Sequence, residues 1–113
     1  MIVEDNDELR NYLSQTLSEE YVVQVCSNGK EALTIIPEYK PELVISDIMM
    51  PEMRGDELCQ AIKNNIETSH IPVILLTALN NEKDILSGLQ IGADEYVVKP
   101  FNIGILKANV ANL

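Results

Sequence analysis

Glu4, Asp5, Asp47, Thr77 and Lys99 are the side chains of this sequence whose chemistry would matter most if one place held them all. Three carboxylates brought together repel, and each raises the pKa of the others unless a cation intervenes. A small hard cation with oxygen ligands suits such a set; magnesium prefers one or two carboxylates with waters and a phosphate oxygen. An aspartate among them can act as a nucleophile and form an aspartyl phosphate. A hydroxyl and an ammonium would then stabilise the charge on the transferred oxygens. Taken singly, each residue has an ordinary reading. The acidic pair is a solvated loop or a helix cap, Asp47 caps a turn before Pro51, Thr77 caps a helix, and Lys99 is surface charge. The five are spread over nearly the whole chain, so the chemistry exists only if the fold gathers them.

The elements that would do so are legible as short apolar runs alternating with amphipathic segments. Met1-Ile2-Val3 is followed by the acidic cluster Glu4-Asp5-Asn6-Asp7, and Leu9, Tyr12, Leu13 and Leu17 then recur at helical spacing. Tyr21-Val22-Val23-Gln24-Val25 is β-branched and predicts a second strand. Asn28-Gly29 reads as a turn and Lys30 to Ile36 as a short helix ended by Pro37. Leu43 to Asp47 predicts the third strand, stopped by Met50-Pro51, and Gly55-Asp56 opens a helix with Leu58, Ile62 and Ile66 on one face. Pro72 to Leu76 predicts the fourth strand. Ile85, Leu86 and Leu89 mark a fourth helix with Gly92 as its cap. Glu95 to Val98 predicts the fifth strand, ended by Lys99-Pro100. Ile103, Leu106, Val110 and Leu113 form a last helical stripe.

Five strands alternating with five helices imply parallel βαβ units with right-handed crossovers. Strands this apolar expect cover on both faces. The predicted fold is therefore α/β, a doubly wound five-stranded parallel sheet of the flavodoxin-like order 2-1-3-4-5 with helices on both faces. In such sheets ligands sit outside the carboxyl ends of the strands. Glu4 and Asp5 end the first strand, Asp47 the third, Thr77 follows the fourth, and Lys99 closes the fifth. All five then converge on one crevice, with Asp47 the natural nucleophile because it ends the central strand.

Composition narrows the class. A chain of 113 residues, 46% hydrophobic and 23% charged, suits one ordered domain. A net charge of −10 argues against direct nucleic-acid contact, which needs a clustered positive surface. The apolar runs are too short to span a bilayer and no secretory leader pattern opens the chain. No membrane contact is therefore expected. Cys26 and Cys59 read as reduced, buried thiols of a cytoplasmic protein. His70 reads as an ordinary loop residue, Met49, Met50 and Met53 as loop and packing residues, and Asn80 to Lys83 as a solvated helix start.

Along essentially its whole length the chain resembles the receiver domains of bacterial two-component response regulators. The stretches that carry the resemblance are Ile2-Val3-Glu4-Asp5-Asn6, Val44 to Pro51, Gly55, Ile74-Leu75-Leu76-Thr77-Ala78, Gly92-Ala93-Asp94-Glu95-Tyr96 and Lys99-Pro100-Phe101. The resemblance implies that Asp47 takes a phosphoryl group from a phosphohistidine of a partner histidine kinase. It implies Mg²⁺ held by Asp5, Asp47 and the backbone carbonyl of Met49, with Glu4 acting through water; Glu4 stands where many members have aspartate. It implies that Thr77 hydrogen-bonds the phosphoryl group, that Lys99 pairs with it, and that Tyr96 is the aromatic switch residue. Partners, including an output domain, would dock on the surface made by the fourth helix, fifth strand and fifth helix, and the family expectation extends to a homodimer.

Residues 1–113 are expected to be a single receiver domain excised from a longer response regulator or hybrid sensor kinase. The domain would be cytoplasmic even as part of a membrane-anchored kinase. Met49 and Leu79, two places after the aspartate and the threonine, are apolar and unable to orient an attacking water, so slow self-dephosphorylation is expected. An aspartate-nucleophile phosphatase would place a second aspartate where Met49 stands. A nucleotide- or flavin-binding protein would have a glycine-rich first turn instead of Glu4-Asp5-Asn6-Asp7. The remaining alternative is a phosphorylation-independent, receiver-like interaction module.

Overall fold

Alternation within each strand builds the two layers of the core. A computed structural model of the chain describes residues 1–78, 86 and 90–113. Its strands are β1 (Ile2–Val3), β2 (Val25–Cys26), β3 (Val44–Asp47), β4 (Val73–Thr77) and β5 (Glu95–Val98). They form one sheet in the order β2-β1-β3-β4-β5, and every neighbouring pair is parallel. Successive residues of a strand point to opposite faces. Val3, Val44, Val73 and Leu75 accordingly join one apolar cluster, while Ile2, Ile45, Ile74 and Leu76 join another.

Helices close both faces. Those described are α1 (Asp7–Leu17), α2 (Gly29–Tyr39), α3 (Gly55–Asn64) and the last helix, here α4 (Ile103–Asn112). Ala32 and Ile36 of α2 and Leu58, Cys59 and Ile62 of α3 enter the first cluster. Leu13 and Leu17 of α1 and Leu106 of α4 enter the second. The predicted doubly wound order is therefore the observed one. Cys26 and Cys59 are both free and buried, and burial pushes each thiol up to about 11. No helix among the described residues is long and apolar enough to cross a membrane.

Several local expectations need correction. The β-branched run Tyr21-Val22-Val23 is not strand: only Val25–Cys26 pair with β1, and Val22 is 90% exposed. A strand persists only where a neighbour completes its hydrogen bonds, and β1 offers a two-residue ladder. Pro37 does not end α2 but lies inside it, on the exposed side. It removes one backbone donor near the helix end, and the helix stops instead where Lys40 turns left-handed at φ 53. Ile66 lies beyond the end of α3 and is 90% exposed, so it is not part of that helix's apolar face. Leu113 caps α4 and is exposed. Thr77 is the last residue of β4 instead of the one after it. The predicted fourth helix at Ile85, Leu86 and Leu89, the stretch Asn80 to Lys83, and Leu79 fall outside the described residues, Leu86 excepted.

Candidate functional site

Three local devices hold the acidic end of β1. Glu4 continues the ladder beyond β1, its amide donating to the Cys26 carbonyl at 3.0 Å. Asn6 caps α1 by accepting from the Leu9 amide at 2.9 Å, while its own amide donates to Glu4 Oε2 at 3.1 Å. Arg10, one turn into α1, donates to the Glu4 carbonyl at 2.9 Å and pairs with Asp7. The acidic turn is thus held at its backbone and at one carboxylate. Arg10 had no place in the sequence reading, although its i,i+3 spacing from Asp7 was a usable signal.

Asp47 is held by an unusually close approach. Ser46 Oγ donates to the Asp47 carbonyl at 2.8 Å, and Gly55, the first residue of α3, lies directly against that carbonyl. A Cβ on Gly55 would stand 2.0 Å from the Asp47 oxygen and 2.9 Å from Ser46 Oγ. Only glycine admits this approach, which brings the start of α3 under the β3 end. The Gly55 amide also donates to the Ile48 carbonyl at 2.9 Å. Met49 follows in the β3–α3 loop with its side chain exposed.

Lys99 closes the group from the far end of the chain. Its amide donates to the Thr77 carbonyl at 2.7 Å, and its Nζ lies 3.0 Å from Asp47 Oδ1 and 3.2 Å from Glu4 Oε1. One oxygen each from Glu4, Asp5 and Asp47 lie within 4.8 Å of one another, with Glu4 and Asp47 buried and Asp5 exposed. Thr77 is fully buried at the β4 end. Tyr96 pairs in register with Leu75, and Thr77 with Val98, so Thr77 and Tyr96 lie on the same face of neighbouring strands. The Tyr96 ring is half-buried against the first cluster. The structure thus brings Glu4, Asp5, Asp47 and Lys99 into one group, with Thr77 at the adjoining strand end.

The electrostatics are unbalanced. Burial pushes Asp47 above the usual carboxylate range despite the opposing bond and charge of Lys99, and Asp5 adds to the rise. Burial also raises Glu4, against the Asn6 amide bond, with Asp47 contributing. Burial alone would depress Lys99, but the hydrogen bond and charge of Asp47, joined by Glu4, outweigh it and hold the ammonium above its ordinary value. One cation faces three carboxylates. Such oxygen donors, two of them disfavoured as bare anions, fit a small hard divalent cation, and the exposed Asp5 leaves a route from solvent.

Known proteins share this arrangement of elements. The family model for the response regulator receiver domain matches residues 1–111. Histidine kinase P4 of Formosa agariphila is 44% identical over 113 residues, which is all of this chain and 8% of that protein. Probable transcriptional regulator ycf27 of Guillardia theta is 42% identical over 111 residues, 97% of this chain and 42% of that protein. Among solved structures, the signal receiver domain of a signal transduction histidine kinase from Syntrophus aciditrophicus aligns with a TM-score of 0.92 at 38% identity. The alignment covers 98% of this chain and 85% of that one. The chain spans less than half the length of these curated relatives.

Proposed function

The chain belongs to the response regulator receiver domain family, a phosphoacceptor switch of two-component signalling, and from that premise we propose that Asp47 is the phosphoacceptor. The observation that carries this reading is the Lys99 ammonium shared between Asp47 at 3.0 Å and Glu4 at 3.2 Å, with Asp5 beside them. An Asp47 carboxylate oxygen attacks the phosphorus of a phosphohistidine on a partner kinase. The new O–P bond forms as the P–N bond breaks, and the imidazole leaves with the electron pair. Lys99 neutralises charge on the transferred oxygens, and Thr77 donates its hydroxyl to one of them.

Glu4, Asp5, Asp47 and the Met49 carbonyl are the residues that would hold Mg²⁺. When bound, the ion offsets carboxylate repulsion and the charge of the incoming phosphoryl group. Residues 1–113 are read as the receiver unit of a longer protein, because the relatives are longer. Movement of Thr77 toward the phosphoryl oxygens vacates space for Tyr96 on the same face of the sheet. That repacks the surface around β5 and α4, where an output domain or a second copy would dock. Phosphorylation shifts this equilibrium only by its differential stabilisation of the active state.

The test is intact mass after incubation with acetyl phosphate, with and without Mg²⁺, on wild type and Asp47→Asn. The expected result is a Mg²⁺-dependent gain of one phosphoryl group that Asp47→Asn lacks. No gain, where a control receiver is labelled, would instead favour an interaction module that works without phosphorylation. Polar substitutions at both Met49 and Leu79 should shorten the phosphorylated lifetime, read as decay of the labelled mass. A wild-type lifetime of only seconds would overturn the role given to these apolar residues.

A further inference from the structure

A second ion pair, half-buried at Lys63 and exposed at Asp94, lies at the opposite pole of the sheet, and the proposed phosphoryl chemistry does not use it. Lys63, near the end of α3, places Nζ 3.0 Å from Asp94 Oδ2 and donates to the Ile71 carbonyl at 2.7 Å and the Ser69 carbonyl at 3.4 Å. Asp94 immediately precedes β5. Its carboxylate accepts from the Val73 amide at 2.8 Å, and its own amide donates to the Val73 carbonyl at 2.9 Å. Asp94 thus grips the first residue of β4 at two points. Gly92, at φ 103, lets the Lys63 stem cross it: a Cβ there would stand 3.1 Å from Lys63 Cγ.

We propose that Lys63 and Asp94 are positioning residues for Lys99 and Tyr96, a clasp that sets the register of β5 on β4. The pairs Ile74↔Glu95, Leu75↔Tyr96, Leu76↔Val97 and Thr77↔Val98 run on directly from the clasp. Lys99 is the next residue, bonded to the Thr77 carbonyl. β5 is the half-buried edge strand of the sheet, with weaker apolar specification of its register than β3 or β4. A slip of one residue would turn Tyr96 to the other face and carry Lys99 away from Asp47. The clasp supplies the specification that the apolar pattern lacks. Lys63, itself anchored by the Ser69 and Ile71 carbonyls, donates to the Asp94 carboxylate and holds it where it reaches the Val73 amide.

This inference rests on the role given to Asp47 and Lys99, so the experiment has two separate readouts. The first is amide hydrogen exchange, comparing Lys99 with Glu4, whose amide bonds Cys26 on the far side of the sheet. The second is the rate of labelling by acetyl phosphate at saturating Mg²⁺, per folded molecule, beside the Mg²⁺ affinity. In Asp94→Ala, protection at Lys99 should fall about tenfold more than at Glu4, and labelling should slow by about tenfold, as expected for a displaced reacting group. Mg²⁺ affinity should not fall, because the metal-facing carboxylates stand on other strands and lose only a competing ammonium.

Lys63→Met, which leaves the Asp94 bonds to Val73 available, should give a smaller effect of the same kind, and Lys63→Arg should restore most of it. That variant carries the test if Asp94→Ala fails to fold. Equal loss of protection at Lys99 and Glu4, with an unchanged labelling rate per folded molecule, would overturn the clasp. If wild type is not labelled at all, the role of Asp47 fails, and the exchange comparison alone decides the clasp.

Discussion

The two poles of the sheet each hold a lysine ammonium against carboxylate, and they are built on opposite principles. At the amino pole, Lys63 meets one carboxylate and two backbone carbonyls, and that carboxylate in turn accepts from a backbone amide. Donors and acceptors are matched there. At the carboxyl pole, Lys99 meets two buried carboxylates, a third carboxylate lies beside those two, and both buried carboxyls are pushed up by their burial. The matched pole fastens elements together. The unmatched pole retains an excess of negative charge, which is what the proposed Mg²⁺ and phosphoryl site would require.

The largest expected effect breaks the carboxyl pole sterically. Gly55→Ala forces a Cβ against the Asp47 carbonyl, so α3 or the end of β3 must move. Urea denaturation should show a loss of about 3 kcal/mol, the upper end of the usual range for overpacking a tight site, together with a slowed labelling rate. An unchanged midpoint would show that the backbone yields there at little cost.

A single kind of substitution then separates the two poles. Without divalent cations, Asp47→Asn should stabilise the fold by on the order of 1 kcal/mol, since it removes a buried charge that its surroundings disfavour. Asp94→Asn should destabilise it by about 1 kcal/mol through loss of a matched, charge-assisted set of bonds. Denaturation midpoints of the same sign for both variants would erase the distinction between the poles.

The smallest effect is in pH dependence. The folded pKa values of Glu4 and Asp47 lie above their unfolded values. Between those values the folded state binds more protons, so this contribution to stability falls as pH rises through the window above the ordinary carboxylate range. The stability difference, wild type minus Asp47→Asn, should therefore shrink toward zero on acidification in EDTA. Saturating Mg²⁺ should reverse the trend, because protons then compete with the bound cation. A difference that stays flat with pH in EDTA would mean that the surroundings of Asp47 do not disfavour its charge.

Much of this was readable along the chain. Glu95–Val98 appeared as a strand and Gly55 as the start of a helix at the residues the structure shows, and the apolar strands foretold cover on both faces. Those signals are local, since a strand or cap is announced by its own neighbours. The strand-end rule then placed Glu4, Asp5, Asp47, Thr77 and Lys99 at one edge without any long-range measurement. Tertiary structure decided the rest. The β-branched run at Tyr21 to Val23 has strand propensity but no ladder partner, and α2 runs on through Pro37 for two residues before Lys40 ends it. Arg10 on the Glu4 carbonyl, Gly55 against Asp47, and Lys63 against Asp94, 31 positions away, are contacts between elements. The pattern of residues determined which elements form and in which order. Close packing of those elements alone decided which charges meet a partner and which are left facing one another.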